Sequence, residues 1–246
     1  MRILFTSDLH GLDSAYERFA AVLEKGKFNL GLLAGDLMTY PSSEELRCAR
    51  AKLTRERGFD QQDATRTISK ILQHALQQKE MYYKNILLRA KKPIVFLMGN
   101  DDGIIGNGTE WTSDRYAISA NQRRLTYGKY NIVGYQYTNP FVGGMFEKSE
   151  AEQQLDFHKI EEFIDTNTIL VTHGPAWGSL DTVKDGTHVG SKTLGAMLKR
   201  KHVRFHLFGH IHGAFGREGN AVNAAYPLAR RFIGVDVDSN VVIAIE

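Results

Sequence analysis

Residues that could bind metal ions recur along the sequence, each group at the end of a short apolar run. Five such motifs occur in order, namely Asp8-Leu9-His10, Gly35-Asp36, Gly99-Asn100-Asp101-Asp102, Thr172-His173-Gly174 and Gly209-His210-Ile211-His212-Gly213. Carboxylate, imidazole and amide groups in combination suit a divalent metal ion. One such motif is common by chance, but the ordered set predicts a shared metal site. The less favoured alternative is a series of unrelated turns.

Two of these motifs place metal-capable residues two positions apart in the sequence. In an extended strand, residues i and i+2 project to the same side. We therefore expect Asp8 and His10 to face one point, and His210 and His212 to face one point. The carboxyl ends of neighbouring strands meet at the edge where open α/β sheets usually bind their ligands.

The apolar runs that carry these motifs are predicted to be buried strands. They are Arg2–Ser7, Leu30–Ala34, Pro93–Met98, Thr168–Thr172, Phe205–Phe208, Phe232–Val237 and Val241–Ile245. Helices are predicted from a capping box of Ser14 and Glu17 to Gly26, after a second capping box of Ser149 and Glu152, and from about Ser191 to Lys201. This alternation predicts an α/β layered domain with mixed sheets.

The segment between Glu44 and Lys92 differs from the rest of the chain. It contains one glycine, no proline, and twelve basic against six acidic residues, with apolar residues at helical spacing. We favour a solvated helical hairpin that packs on the domain. The alternative is a basic cap that overhangs a site for an anionic substrate.

Composition limits the class of protein. The chain has 246 residues, 42% hydrophobic and 24% charged, which is ordinary for a globular protein. A net charge of +3 is too small to indicate a nucleic-acid binder. The single cysteine, Cys48, excludes an intramolecular disulfide and suits a reducing compartment. No apolar run could span a membrane and no secretory signal is recognisable, so we expect a cytoplasmic protein without a membrane partner.

The ordered motifs resemble those of the calcineurin-like metallophosphoesterase family from Asp8 to His212. The stretches Thr172-His173-Gly174-Pro175 and His188-Val189-Gly190-Ser191 resemble a phosphodiesterase-type branch of that family. The resemblance implies a four-layer α-β-β-α sandwich of two mixed sheets with a two-metal site at one edge. It also implies a single domain over residues 1–246 in which a helical insertion occupies residues 44–92, approximately.

The same resemblance implies a ligand set. Asp8, His10 and His212 would bind the first metal, Asn100, His173 and His210 the second, and Asp36 would bridge both. The implied ions are divalent, with manganese preferred and iron, nickel or zinc as alternatives. Asn100 and Asp101 are the expected catalytic residues, and His188 and Asn100 are expected to bind substrate. A rim loop is expected at residues 103–108.

The implied reaction is hydrolysis of a phosphoester by a hydroxide that bridges two metals and attacks phosphorus in line. Asp101 stands where the family pattern has histidine. An ionised aspartate cannot protonate a leaving group and repels a dianionic monoester more than a monoanionic diester, although a pKa raised by burial would let it act as an acid. An alternative role for Asp101 is a hydrogen bond to His10 or to a turn amide.

We therefore expect a phosphodiesterase that acts on a small phosphate ester, nucleotides included. Two other functions remain open from the sequence. One is a nuclease, with the basic segment along a nucleic-acid backbone. The other is a non-catalytic binding scaffold with the same fold. All the matched ligand positions hold residues able to coordinate a metal ion, which favours catalysis.

Overall fold

The computed structural model of the protein describes residues 1–38, 43–103, 111 and 113–246. In chain order the elements are β1 (Arg2–Thr6), α1 (Asp13–Lys25), β2 (Leu30–Ala34), α2 (Ser43–Arg57), α3 (Gln61–Leu88), β3 (Ile94–Leu97), β4 (Ala117–Ser119), β5 (Arg124–Tyr127), β6 (Tyr130–Tyr135), α4 (Glu150–Ile160), β7 (Thr168–Thr172), α5 (Lys192–Arg200), β8 (Phe205–Phe208), β9 (Gly216–Glu218), β10 (Ala221–Asn223), α6 (Tyr226–Ala229), β11 (Phe232–Asp236) and β12 (Val241–Ile245). Short 3-10 turns occupy Asn100–Gly103, Glu161–Phe163 and His212–Ala214.

The strands form two six-stranded sheets, and both are mixed. The first has the order β12-β11-β1-β2-β3-β4, in which β1 to β4 are parallel and β11 and β12 run antiparallel to their neighbours. The second has the order β5-β6-β7-β8-β10-β9, parallel except for its two edge strands. Parallel strands direct their carboxyl ends to one edge, where the metal-capable motifs follow them.

Alternating side chains of the strands fill three apolar layers. Ile3 of β1 lies between the sheets with Ile169 and Leu207 of the second sheet. The next residue, Leu4, faces the other way and packs under α1 and α3. The outer face of the second sheet is covered in the same way by α4 and α5. This period of two produces the order helix, sheet, sheet, helix, so the predicted four-layer sandwich is confirmed.

The prediction of local structure failed where its signal was short. Three strands of three residues, β4, β9 and β10, carry too short a signal to be predicted. The turn Tyr127-Gly128-Lys129, which predicts a pair of strands around it, connects the antiparallel strands β5 and β6. The capping box of Ser14 and Glu17 is wrong, because α1 begins at Asp13 and its N-cap Leu12 makes no side-chain cap bond. The box of Ser149 and Glu152 is present as predicted.

The basic segment forms the two helices α2 and α3. The longer of them, α3, packs on α1, and the ring of Tyr83 stacks on Tyr16 with centroids 4.1 Å apart. This arrangement agrees with a helical hairpin that packs on the domain. Across the described ranges, no helix combines the length and the apolar character needed to cross a lipid bilayer.

Candidate metal centre

The loops after β1 and β2 carry Asp8, His10 and Asp36. They run side by side, since the Asp8 N–H donates to the Gly35 carbonyl and the His10 N–H to the Asp36 carbonyl, both at 2.9 Å. All three metal-capable residues have positive φ, +59° at Asp8, +44° at His10 and +51° at Asp36. Non-glycine residues rarely adopt this conformation, and it concentrates at functional sites.

One set of side chains, which we call the outer group, consists of Asp8, His10 and His212. Their ligand atoms all lie within 4.8 Å of one another. His212 Nε2 is 3.2 Å from Asp8 Oδ1 and 3.4 Å from His10 Nε2. The Asp8 carboxylate is buried, whereas the side chains of His10 and His212 are 27% and 37% exposed. The outer group therefore opens to solvent through its histidines.

A second set, the inner group, consists of Asp36, His173 and His210, again with ligand atoms within 4.8 Å of one another. The Nε2 atom of His173 lies 3.4 Å from Asp36 Oδ2 and 3.0 Å from Asn100 Oδ1. His173 is fully buried, and its Nδ1–H donates to the Ala34 carbonyl at 2.7 Å. This bond fixes the ring so that Nε2 faces the group, as metal-binding histidines require.

Asp36 lies between the two groups. Its Oδ2 atom is 3.4 Å from His173 of the inner group and 3.9 Å from His10 of the outer group. Its Oδ1 atom accepts the Asp101 N–H at 2.9 Å, so the carboxylate cannot rotate freely. This is the place that a bridging carboxylate would take.

The two histidines of the last motif point into different groups, His212 into the outer and His210 into the inner one. The prediction that strand alternation aims both at one point is therefore wrong. Strand β8 ends at Phe208, His210 has φ of +66°, and His212 begins a 3-10 turn. Asp8 and His10 do share a group, but β1 ends at Thr6, so left-handed turns rather than strand spacing bring them together.

Two glycines allow the loops to approach this closely. A Cβ at Gly99 would overlap Asp36 Oδ1 and lie 2.7 Å from His173 Cε1. A Cβ at Gly209 would overlap Ser7 Oγ and Asp8 Oδ2. Each glycine thus leaves the space that a carboxylate of the site occupies.

The pKa values of Asp8, Asp36 and His173 show which side chains of the site carry charge. Burial disfavours the ionised form of Asp8, but the hydrogen bond from His212 and the charge of His173 outweigh it, so the pKa of Asp8 lies below its usual range. The pKa of Asp36 is also lowered, since His173 outweighs burial there. Against burial, the carboxylates raise the pKa of His173 to about 10.

The described ion pairs of Asp8 and Asp36 are all with histidines, without a lysine or arginine. The two buried carboxylates therefore require positive charge, which an imidazolium supplies here and a divalent ion would supply in its place. The mixture of carboxylate, imidazole and amide donors fits such an ion.

Asp101 borders both groups. One carboxylate oxygen, Oδ2, lies 3.6 Å from His10 Nδ1, which is beyond a direct hydrogen bond, and the other accepts the Asn100 amide at 3.1 Å. This contact turns the Asn100 carbonyl oxygen toward His173. Burial and the charge of Asp36 raise the pKa of Asp101.

The neighbouring residue, Asp102, has a structural role and joins two loops of the site. Its buried carboxylate accepts the backbone N–H groups of Gly99, Leu37 and Met38 at 2.8 to 3.0 Å. It thereby ties the loop after β2 to the loop after β3, and with them Asp36 to Asn100.

The loop that carries His10 is supported by the helical hairpin, and the sequence analysis did not predict this contact. The hydroxyl of Tyr83, on α3, donates to the Gly11 carbonyl at 2.7 Å and lies 3.0 Å from Asp13 Oδ1. Helical spacing predicts Tyr83 only as part of an apolar stripe. The hydroxyl of a buried tyrosine usually hydrogen-bonds to a polar partner, and this preference was the one sequence signal for the contact.

A cavity of about 670 Å³ adjoins the site. Its described lining includes Asp36, Asn100, Asp101, His210 and His212, and none of it comes from residues 43–92. The alternative of a basic cap over the site therefore receives no support from the described residues. Residues 104–108 of the predicted rim loop lie outside them.

His188 is placed next to this cavity rather than among its described lining residues. Its Nδ1 lies 2.6 Å from Asp181 Oδ1, and its ring packs 5.3 Å from that of Trp177. Substrate binding by His188 remains a prediction.

Two mixed sheets between helices, with histidines and carboxylates gathered at one edge, define the class of metallophosphoesterases. The family model for calcineurin-like phosphoesterases matches residues 1–214, and the chain belongs to that family.

Part of the chain is similar in sequence to two animal proteins. A human metallophosphoesterase domain-containing protein 1 is 35% identical over 102 residues, which cover 40% of this chain and 30% of that protein. UPF0046 protein K07C11.7 of Caenorhabditis elegans is 33% identical over 129 residues, 49% of this chain and 42% of that protein. The matches thus span less than half the length of these relatives.

Similarity in structure extends over nearly the whole chain. TT1561 of Thermus thermophilus has a TM-score of 0.63 at 14% identity, covering 99% of this chain and 97% of that one. A dimetal phosphatase from Danio rerio has a TM-score of 0.54 at 10% identity, covering 95% and 91%. At these identities the likeness shows the fold.

Proposed function

We propose that the protein is a metal-dependent phosphodiesterase that hydrolyses a small phosphate ester by in-line attack of an activated water on phosphorus. The observation that carries the proposal is the pair of ligand groups around Asp36, open on one side to a cavity. The chemistry that divalent ions supply in such sites is activation of water near neutral pH and neutralisation of phosphate charge.

The roles of the chain's own residues follow from their positions. Asp8, His10 and His212 would hold one ion and Asn100, His173 and His210 the other, with Asp36 shared. The Asn100 carbonyl faces the inner group and its amide is held by Asp101. Asn100 and Asp101 also line the cavity, where a bound phosphate would meet them.

The preference for a diester rests on Asp101. It adds a third carboxylate within 4.8 Å of ligand atoms of His10 and Asp36, on the side of the cavity. A monoester is dianionic and a diester is monoanionic. The negative charge of Asp101 therefore repels the monoester more strongly and weakens its binding more.

Three further features belong to the same proposal. The ions are manganese in first preference, with iron, nickel or zinc as alternatives. The protein acts in the cytoplasm, which its exposed free thiol at Cys48 supports. Residues 1–246 form one domain, and α2 and α3 are an insertion in it.

The test is turnover by apoprotein that is reloaded with single metals. We expect manganese to restore hydrolysis of bis(p-nitrophenyl) phosphate, with kcat/KM at least tenfold above that for p-nitrophenyl phosphate. Asp36→Asn should abolish activity, because both groups lose a shared anion, whereas Asp63→Asn makes the same change on the exposed surface of α3 and serves as control.

A clear preference for the monoester would overturn the diester assignment. Failure of every metal to stimulate hydrolysis of either ester would instead favour the binding scaffold.

A further inference from the structure

We propose that the cavity beside the metal centre binds an uncharged, mainly apolar or aromatic substituent of the phosphodiester, with Phe141 as a residue that determines specificity. This inference rests on the proposed function and narrows its substrate class. It identifies a substrate with one phosphate group, held at the two ligand groups, and one organic group in the cavity.

The walls of the cavity are suited to such a group. Beyond the metal-capable residues, its described lining includes the aromatic rings of Tyr135, Tyr137 and Phe141 and the aliphatic side chains of Val189 and Leu194. A volume of about 670 Å³ lies within the range of small-molecule sites. A mainly apolar wall favours a substituent that leaves water when it binds.

Two large apolar side chains stand exposed at the mouth of the cavity. Phe141 is 73% exposed and Leu228 is 68% exposed, and both line the cavity. The Phe141 ring meets the His210 ring edge to face, with centroids 5.7 Å apart. An apolar substituent attached to a phosphate at the inner group would therefore contact Phe141 and remove part of its ring from water.

The loop that carries Phe141 is held in place before any substrate arrives. The Glu147 carboxylate accepts the backbone N–H groups of Phe141, Val142 and Gly143 at 2.8 to 3.0 Å. Since these bonds fix the backbone, substrate binding need not order the loop that carries the ring.

The charge of the cavity argues against a second phosphate. Among the described lining residues, Lys184 is the one lysine or arginine, while Asp36 and Asp101 are acidic. A polyphosphate or a nucleic-acid strand would bring further anions into a wall that offers few cations. The cavity therefore favours a substrate whose single charge lies at the metal centre.

The experiment uses manganese-loaded protein and p-nitrophenyl phosphodiesters that share one leaving group. The second substituent is methyl, phenyl or naphthyl, and a fourth ester carries a phenyl group with an added phosphate. Each kcat/KM is divided by the rate constant of the same ester with hydroxide. We expect at least a tenfold rise from methyl to naphthyl, and at least a tenfold fall when the second phosphate is added.

Two variants test whether the preference for the naphthyl ester arises in the cavity. Phe141→Ala should reduce the naphthyl-to-methyl ratio at least threefold. Val142→Ala should retain it, because Val142 is an exposed neighbour outside the described lining.

The inference would be overturned if all four esters had equal normalised kcat/KM values, or if Phe141→Ala and Val142→Ala reduced the naphthyl-to-methyl ratio equally. Either result would leave the proposed function intact. If no ester is hydrolysed, the proposed function fails. Calorimetry with the methyl and naphthyl monoesters of methylphosphonate then tests the cavity alone, and equal affinities for the two would overturn this inference also.

Discussion

The inner and outer ligand groups share Asp36 but are built in different ways. The inner group is the more buried one, although His210 lines the cavity, and its His173 is fully buried with the ring fixed by the Ala34 carbonyl at the end of β2. The outer group has two partly exposed histidines on loops, and one of these loops is supported by Tyr83 from α3.

This difference shows which part of the fold positions each group. The inner group depends on strand ends and on glycines that let them meet, so a change there disturbs the core. The outer group depends on loops and on the helical hairpin, so it can be altered while the sandwich stays folded. We therefore expect two ions with unequal affinity, the inner one bound more tightly.

The largest effect is expected from Gly99→Ala. The added Cβ would displace Asp36 and His173, so the variant should lose binding of both ions and about 1–3 kcal/mol of stability. Thermal unfolding and metal content after dialysis check this. Gly213→Ala is the matched control, because a Cβ there meets no described atom within 4 Å. Normal metal content in Gly99→Ala would contradict the role assigned to the strand ends.

A smaller effect is expected from His212→Ala, which removes a ligand from the outer group alone. The variant should keep one ion per chain and its unfolding temperature within a few degrees, while catalysis falls at least a hundredfold. His210→Ala, the same change in the inner group, should lose both ions, because without the inner ion a protonated His173 pairs with Asp36 and keeps that carboxylate from the outer ion. Metal analysis compares the two variants, and equal loss in both would remove the distinction between the groups.

A still smaller effect is expected from Tyr83→Phe, which removes one hydroxyl of the helical hairpin. Loss of its bonds to Gly11 and Asp13 should cost about 1 kcal/mol of stability and roughly tenfold in the affinity of the outer ion. Competition with a chelator measures that affinity. Tyr82→Phe deletes a hydroxyl from the exposed neighbour and serves as control. An unchanged outer site would show that the hairpin does not support it.

Strand patterns predicted the sheet edge at which the metal-capable residues lie, but not how His210 and His212 divide between the two groups, for a physical reason. Strands such as Leu30–Ala34 and Thr168–Thr172 have strong local signals, and the residues that follow them must lie at one sheet edge. The division of His210 from His212 depends on a left-handed turn that a period of two does not reveal. The bond from Tyr83 to Gly11 joins distant parts of the chain, so no local pattern predicts it.

The last comparison is between two buried histidines that differ in their neighbours. His173 faces carboxylates, which raise its pKa to about 10, whereas burial lowers the pKa of His206 on β8 to about 3. His206 Nε2–H donates to Thr172 Oγ1, and its Nδ1 has no described partner. In the unfolded chain His206 takes up a proton near pH 6.5, but in the folded protein it does not.

Stability should therefore fall as the pH drops below about 6.5, by at most about 1.4 kcal/mol per pH unit until about pH 3. We expect His206→Gln to lose this part of the slope, while His202→Gln, an exposed histidine changed in the same way, should keep it. Urea unfolding from pH 7.5 to pH 5, with a chelator in every sample, removes the contribution of metal release. An identical slope in the His206 variant would mean that burial does not lower the pKa of this histidine, and the contrast with His173 would then lose one of its two sides.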